Sequence, residues 1–245
     1  MSGNPVTANA PGRSGLAVVV GAGGGLGAAL LAQLQHQGLY DRVLGLGRTG
    51  EIRIDYGDEA SIGAAAQAVA SICDQSGLAL RLLLVATGFL HGPQGQPERG
   101  WRHLDAGYLQ QVFLVNTLGP ALLIKHFFPL LPRQGRCVAG FVSAKVGSIG
   151  DNALGGWYGY RASKAALNQL VKTAAIELTR SNRDSICVAL HPGTVDTPLS
   201  QPFAKNGLTV RPPQEAARDL LAVLAELAPA ATGALVDYRG QTLPF

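Results

Sequence analysis

The sequence predicts an α/β fold: one doubly wound parallel sheet of about seven strands with helices on both faces. Three observations lead there. Short apolar runs alternate with stretches of helical period along most of the chain. The apolar runs lack the polar–apolar alternation of half-exposed strands, so they suit strands covered on both faces. The 245 residues are 47% hydrophobic and only 15% charged, enough to bury a large interior.

The first such run, Leu16 to Val20, ends in glycine and reads as a buried strand. A helix follows, with Leu26, Leu30 and Leu34 on one face and Gly38 near its end. Arg42 to Leu46 is the second strand. Ile62, Ala65, Ala66, Val69 and Ile72 have helical spacing, and Arg81 to Ala86 is the next strand. A long helical stretch runs from about Asp105 to Leu131, where Pro132 stops it. Strand Cys137 to Ser143, helix Tyr158 to Arg180, strand Ser185 to Leu190, helix Pro213 to Leu227 and strand Ala234 to Tyr238 complete the series. This rhythm calls for parallel strands joined by right-handed crossovers. With no internal repeat and no dividing linker, residues 15–245 read as one domain behind a flexible tail, residues 1–14.

Composition also excludes some classes. The net charge of +4 suits a small anion, but no Lys/Arg run marks a nucleic-acid surface. Cys73, Cys137 and Cys187 are odd in number and far apart, which argues for reduced thiols and no metal site. The start of the chain lacks the charged and apolar regions of a secretory signal, and no apolar run is expected to reach membrane-spanning length. These readings together imply a cytoplasmic protein with neither membrane nor nucleic-acid partner.

Gly21, Gly23, Gly24, Gly25 and Gly27 crowd the turn between the first strand and its helix, with Leu26 among them. Side chains there would keep the backbone from a pyrophosphate, whereas the helix N-terminus offers free N–H groups to an anion. The glycine pattern after a strand and before a helix is the dinucleotide fingerprint of a Rossmann sheet. The end of the second strand then discriminates between cofactors. An acid there binds the ribose 2′-hydroxyl of NAD, and a nearby Arg accommodates the 2′-phosphate of NADP. This chain has no acid at that end but has Arg48, while Asp41 lies at the opposite end of the strand. NADP(H) is expected over NAD(H).

Tyr160 and Lys164 lie one helical turn apart on one face. A phenol ordinarily titrates near ~10, and a neighbouring cation favours its phenolate. The pair can therefore protonate a carbonyl or deprotonate an alcohol.

Three motifs together resemble the short-chain dehydrogenase/reductase family, over nearly the whole chain. They are Gly21-x-x-x-Gly25-x-Gly27, Tyr160-Arg-Ala-Ser-Lys164, and His191-Pro-Gly-Thr194-Val-Asp-Thr197. The run from Val146 to Lys164 and the C-terminal ending from Asp237 look like the C-factor-like branch, which is itself similar to sniffer-type carbonyl reductases. The resemblance implies further roles. Asn116 would hold a proton-relay water beside Lys164, and Asp55 would approach the adenine. Ala86, Thr87 and Gly88 would border the cofactor after the strand before them. Pro192, Gly193, Thr194, Val195 and Thr197 would flank the nicotinamide. The resemblance also implies a homodimer or homotetramer formed through the long helix and the Tyr160 helix.

Two positions depart from the family pattern. Val85-Ala86-Thr87-Gly88 replaces the usual Asn-Asn-Ala-Gly turn, and Thr87 is expected to restore a lost hydrogen bond. The substrate-orienting serine, three residues before Gly147, is Ala144. Ser143 is the favoured substitute, but neighbouring strand side chains point to opposite faces, and Ser148 is the other candidate. His91, His103 and His191 lack ligand spacing and read as structural or exposed; Lys145 reads as a loop residue. Phe203, Leu208 and Val210, in the short lid Pro198 to Arg211, are expected with Trp157 around a small apolar pocket.

The expected activity is hydride exchange between a nicotinamide and a small carbonyl or alcohol. The other reading is a dinucleotide-binding regulatory or signalling protein with weak or no redox chemistry. An extended-family enzyme acting on nucleotide sugars would need a substrate domain, which the residues after Thr197 are too few to form.

Overall fold

A computed structural model describes residues 14–203 and 209–245, so most of the expected tail, and Leu208, lie outside the described residues. Strands β1 (Leu16–Val20), β2 (Arg42–Leu46), β3 (Leu80–Val85), β4 (Cys137–Val142), β5 (Ser185–His191), β8 (Leu235–Asp237) and β9 (Thr242–Leu243) form one sheet. Their order is β2-β1-β3-β4-β5-β8-β9. All pair in parallel except β9, which returns antiparallel along β8. β9 spans only two residues, too few to show a period, so sequence reading passed over it. A separate short ladder joins β6 (Thr194–Val195) to β7 (Val210–Arg211).

Each central strand is apolar on both sides because each side has its own helices. In β1, Leu16, Val18 and Val20 join the core beneath α2 (Glu59–Ser76), α4 (Gly119–Phe127) and α5 (Tyr158–Ser181). Ala17 and Val19 face the other core, with α1 (Gly25–Gln37) and α6 (Pro213–Glu226). The same alternation sends Ala139 and Phe141 of β4 to one layer and Val138 to the other. The result is the doubly wound, three-layer architecture anticipated, with an antiparallel edge.

The long helical stretch is continuous from Ala106 to Leu130 but not uniform. α3 (Ala106–Phe113) passes into a π-helical turn, Leu114–Leu118, before α4 begins. The extra residue in such a turn bends the helix and re-aims its side chains, and such turns recur at functional sites. One expectation needs correcting: these 25 residues are long and apolar enough, by length and composition, to cross a membrane. The helix instead packs Tyr108, Val112, Leu123 and Phe127 into the protein. Part of its apolar surface meets α5 and α2.

The strand order reverses between β1 and β3, so the chain leaves their C-terminal ends in opposite directions and opens a crevice. Tyr56 braces that crevice from below. Its ring lies on Gly119 and its hydroxyl meets Thr87 Oγ1 at 3.0 Å. A Cβ on Gly119 would approach the ring to 2.2 Å. Gly119→Ala should therefore lower unfolding stability by about 1–3 kcal/mol, because displacing a packed ring outweighs the helix-propensity gain. Urea denaturation of the two proteins tests this; an alanine variant of equal or greater stability would contradict the packing.

Candidate active site

The glycine turn leaves β1 at Gly21, whose φ of 86° is a left-handed value that favours glycine. Closeness is the other reason for glycine here. A Cβ on Gly27 would lie 2.1 Å from the Gly21 carbonyl oxygen, and one on Gly25 would lie 2.7 Å from Thr197 Cγ2. Gly23 faces open space, with nothing within 4 Å of its would-be Cβ. No side chain caps α1 at Gly24. A backbone-lined concavity at a helix N-terminus fits a pyrophosphate, so these residues pass the test for a dinucleotide. Leu26 turns inward to the core.

Some of the other expected cofactor residues touch this turn. Thr87 and Ala86 lie against Gly21, and Gly88 is close to Leu199 and Asn116. Thr197 closes over Gly25, and Gly193 lies under the Tyr238 ring with φ of 77°. Pro192 is buried beside it and Thr194–Val195 forms β6. At the end of β2, Arg48 is exposed and its carbonyl accepts from Arg53 Nε at 3.1 Å. Sequence reading missed Arg53, which reaches this edge through a single parallel bridge between Gly47 and Arg53. Asp55 caps its own turn, accepting from Gly57 N at 2.8 Å.

The chemical end is buried. Tyr160, Lys164, Asn116 and Ser143 are all at most 8% exposed. Lys164 Nζ donates to the Val142 carbonyl at 2.9 Å and lies 5.8 Å from the centre of the Tyr160 ring. Burial pushes the Tyr160 phenol up to about 12 and Lys164 down to about 7. Desolvation thus opposes the acidifying effect expected from the lysine, and in this state it dominates.

Asn116 sits in the π-helical turn. Its Oδ1 accepts from Phe89 N at 2.8 Å, while Nδ2 donates to Phe89 O at 2.9 Å and Ser163 Oγ at 3.1 Å. Its amide therefore ties the loop after Gly88 to α5. Ser163, inside the Tyr-Lys motif, passed unnoticed in sequence because its role depends on Asn116, 47 residues away.

Only one of the two candidate hydroxyls spends its proton within the protein. Ser143 Oγ donates to Asn168 Oδ1 at 2.7 Å, and Ser148 Oγ accepts from Asp151 N at 3.1 Å. Ala144 is half-buried beside them. The anticipated apolar pocket is present in part: Trp157 packs edge-on to Tyr160 at 6.1 Å and to Phe203 at 5.2 Å. Val210 is on β7 and partly exposed. His91, read as structural or exposed, joins this wall, 5.4 Å from Phe203 and 2.9 Å from the Pro198 carbonyl through Nε2. His191, half-buried at the end of β5, has its pKa lowered to about 4, chiefly by desolvation. Among the described residues no His/Cys/Asp/Glu cluster is placed to hold a metal.

Residues 15–207 match the family model described as short chain dehydrogenase. The chain belongs to that family. It is 31% identical over 238 residues to 1-hydroxy-2-glutathionyl-2-methyl-3-butene dehydrogenase of Rhodococcus sp. (strain AD45), covering 93% of this chain and 98% of that protein. It is 35% identical over 144 residues to C-signal of Myxococcus xanthus, covering 58% of this chain and 81% of the relative. The fold matches the NADPH-bound carbonyl reductase from chicken fatty liver with a TM-score of 0.82 at 24% identity, covering 95% of this chain and all of that one. This member of the short-chain dehydrogenase family is therefore an oxidoreductase.

The buried lysine gives a prediction with a definite sign. Its folded pKa of about 7 lies below the unfolded value of ~10.4, so the fold favours the neutral amine. The destabilisation is complete below pH ~7 and is relieved as pH rises towards ~10. Lys164→Met should therefore gain thermal stability at pH 6 and lose most of that advantage by pH 9. Melting curves at the two values check it, and a variant whose advantage grows with pH would refute it.

Proposed function

We propose that this oxidoreductase is an NADP(H)-dependent carbonyl reductase in which Tyr160 exchanges the proton with a small carbonyl or alcohol substrate. The observation that carries the reading is the buried face of α5, where Tyr160 and Lys164 stand together and which Asn116 joins to the loop following the Thr87–Gly88 segment at the glycine turn. When bound, the nicotinamide supplies or accepts the hydride. Gly21, Gly23, Gly24, Gly25 and Gly27 would hold the pyrophosphate, with Thr194 and Thr197 towards the nicotinamide. The chicken reductase of the same fold is NADPH-bound, which supports a nicotinamide cofactor here.

Tyr160 gives its phenolic proton to the substrate oxygen, and the Lys164 ammonium stabilises the phenolate left behind. Val142 fixes one Lys164 donor, leaving the ammonium's other hydrogens for ribose hydroxyls and relay water. Asn116 has its amide committed to Phe89 and Ser163, so it would assist the relay from the backbone of its widened turn. Arg48, joined by Arg53, would receive the 2′-phosphate and select NADP(H), while Asp55 lies towards the adenine side. Ser143 would polarise the carbonyl only after leaving Asn168. We include a homodimer or homotetramer in the proposal, because Leu118 on the long helix is 53% exposed and Ile176 on α5 is 50% exposed. The proposed compartment is the cytoplasm, where Cys73, Cys137 and Cys187 would stay reduced.

Ala144 at the usual serine position, with Ser143 donating to Asn168, favours one competing reading, a dinucleotide-binding regulator with little chemistry. Steady NADPH consumption with a panel of aldehydes and ketones decides against it.

Tyr160→Phe should lower turnover by about 10²–10⁴ while NADPH affinity, read by fluorescence titration, hardly changes. Turnover at the wild-type rate would remove Tyr160 from its role. The double variant Arg48→Ala, Arg53→Ala should weaken NADPH binding on the order of tenfold or more and leave NADH binding nearly intact. Equal losses for both cofactors would show that these arginines do not read the 2′-phosphate.

A further inference from the structure

A helix start needs acceptors for its first N–H groups, and α5 does not supply its own. The residue before it, Trp157, has φ 53° and ψ 41°, and no side chain of the usual capping kind stands there. An indole has only a donor to offer. Trp157 is also the one non-glycine residue with positive φ among the described residues, and it follows Gly155 and Gly156 at φ 64° and 66°. A left-handed conformation at a bulky residue costs on the order of 1–3 kcal/mol and persists only where the surroundings enforce it.

Glu98 provides the enforcement. It is 1% exposed, and both carboxyl oxygens lie 3.1 Å from the Gly159 N–H. Its main-chain carbonyl accepts from Trp157 N at 2.6 Å. One residue thus takes N–H groups on both sides of Tyr158, at the positive end of a 24-residue helix, where negative charge is favoured. Gly159 makes the contact possible: a Cβ there would come 3.0 Å from Glu98 Oε1 and 2.9 Å from Leu109 Cδ2. Tyr160 is the next residue.

The same loop is held along its length. Phe89 is fixed by Asn116, Leu90 O accepts from Tyr108 Oη at 2.7 Å, and Glu98 ends the series at α5. The loop therefore braces the cofactor turn at Thr87 and Gly88 against the helix that carries the phenol.

We propose that Glu98 is a positioning residue: a cap supplied from 61 residues away that fixes the first turn of α5 and with it the placement of Tyr160 and Trp157. The inference rests on Tyr160 being the proton donor only for its effect on turnover. What matters is an acceptor oxygen, so glutamine should serve and alanine should not.

The test uses the full-length protein carrying Trp101→Phe, which leaves Trp157 as its sole tryptophan; Trp101 is 69% exposed. Glu98→Ala should lower kcat about 10–100-fold, as a displaced proton donor would, with NADPH affinity changed much less. It should also shift Trp157 emission, since the indole loses the anchor of its backbone. Glu98→Gln should restore both rate and emission, and Gly159→Ala should behave like Glu98→Ala. If Glu98→Ala does not fold, Glu98→Asp, one methylene short of Gly159, takes its place in the comparison. Wild-type kcat and emission in the alanine variant, or a glutamine variant as impaired as the alanine one, would overturn the proposal. A parent that consumes no NADPH with any carbonyl would instead defeat the carbonyl-reductase reading. The emission of the Glu98 variants would then still decide whether the cap exists.

Discussion

An amine and a phenol share one buried face of α5, and neither is a group that a core accepts readily. Burial holds Tyr160 at about 12 and Lys164 at about 7, so both are biased towards their neutral forms. One protein acceptor, the Val142 carbonyl at the end of β4, steadies the amine. Any bound group that gives the ammonium further acceptors will pull the pair towards the charged combination in which a phenol can act as an acid or a base. The pair is therefore responsive to what enters the crevice, and the surrounding structure keeps the two groups together and dry.

Three supports do this. The π-helical turn aims Asn116 across to Phe89 and Ser163, joining the long helix, the loop after β3 and α5. Glu98 fixes the start of α5. The segment after β6 lies over the glycine turn through Thr197 and reaches the Trp157 ring through Phe203. Each support crosses from one element to another, so the site is a property of how the layers dock.

The far end of that segment is anchored as well. Arg211 pairs with Asp219 of α6, lies 4.1 Å from the centre of the Tyr238 ring, and sits beside Gly193. Thr197 is thus held by Ser200, and Arg211 by an ion pair and a ring contact.

The sequence by itself determined the doubly wound sheet, because strands apolar on both faces and helices with one apolar stripe leave few ways to pack. It also determined the glycine turn and the Tyr160–Lys164 pair, since both depend on short spacings: backbone approach within seven residues and one helical turn. Tertiary structure alone decided the rest. That Ser143 faces Asn168 and that His91 joins the pocket wall both follow from register and docking between distant segments. Glu98 is the plainest case. In sequence it is an acid in a Gly/Pro-rich loop; its meaning comes from a helix start 61 residues on that has no cap of its own. Local spacing can specify a chemical pair, but satisfying a buried N–H is settled only when the chain has folded around it.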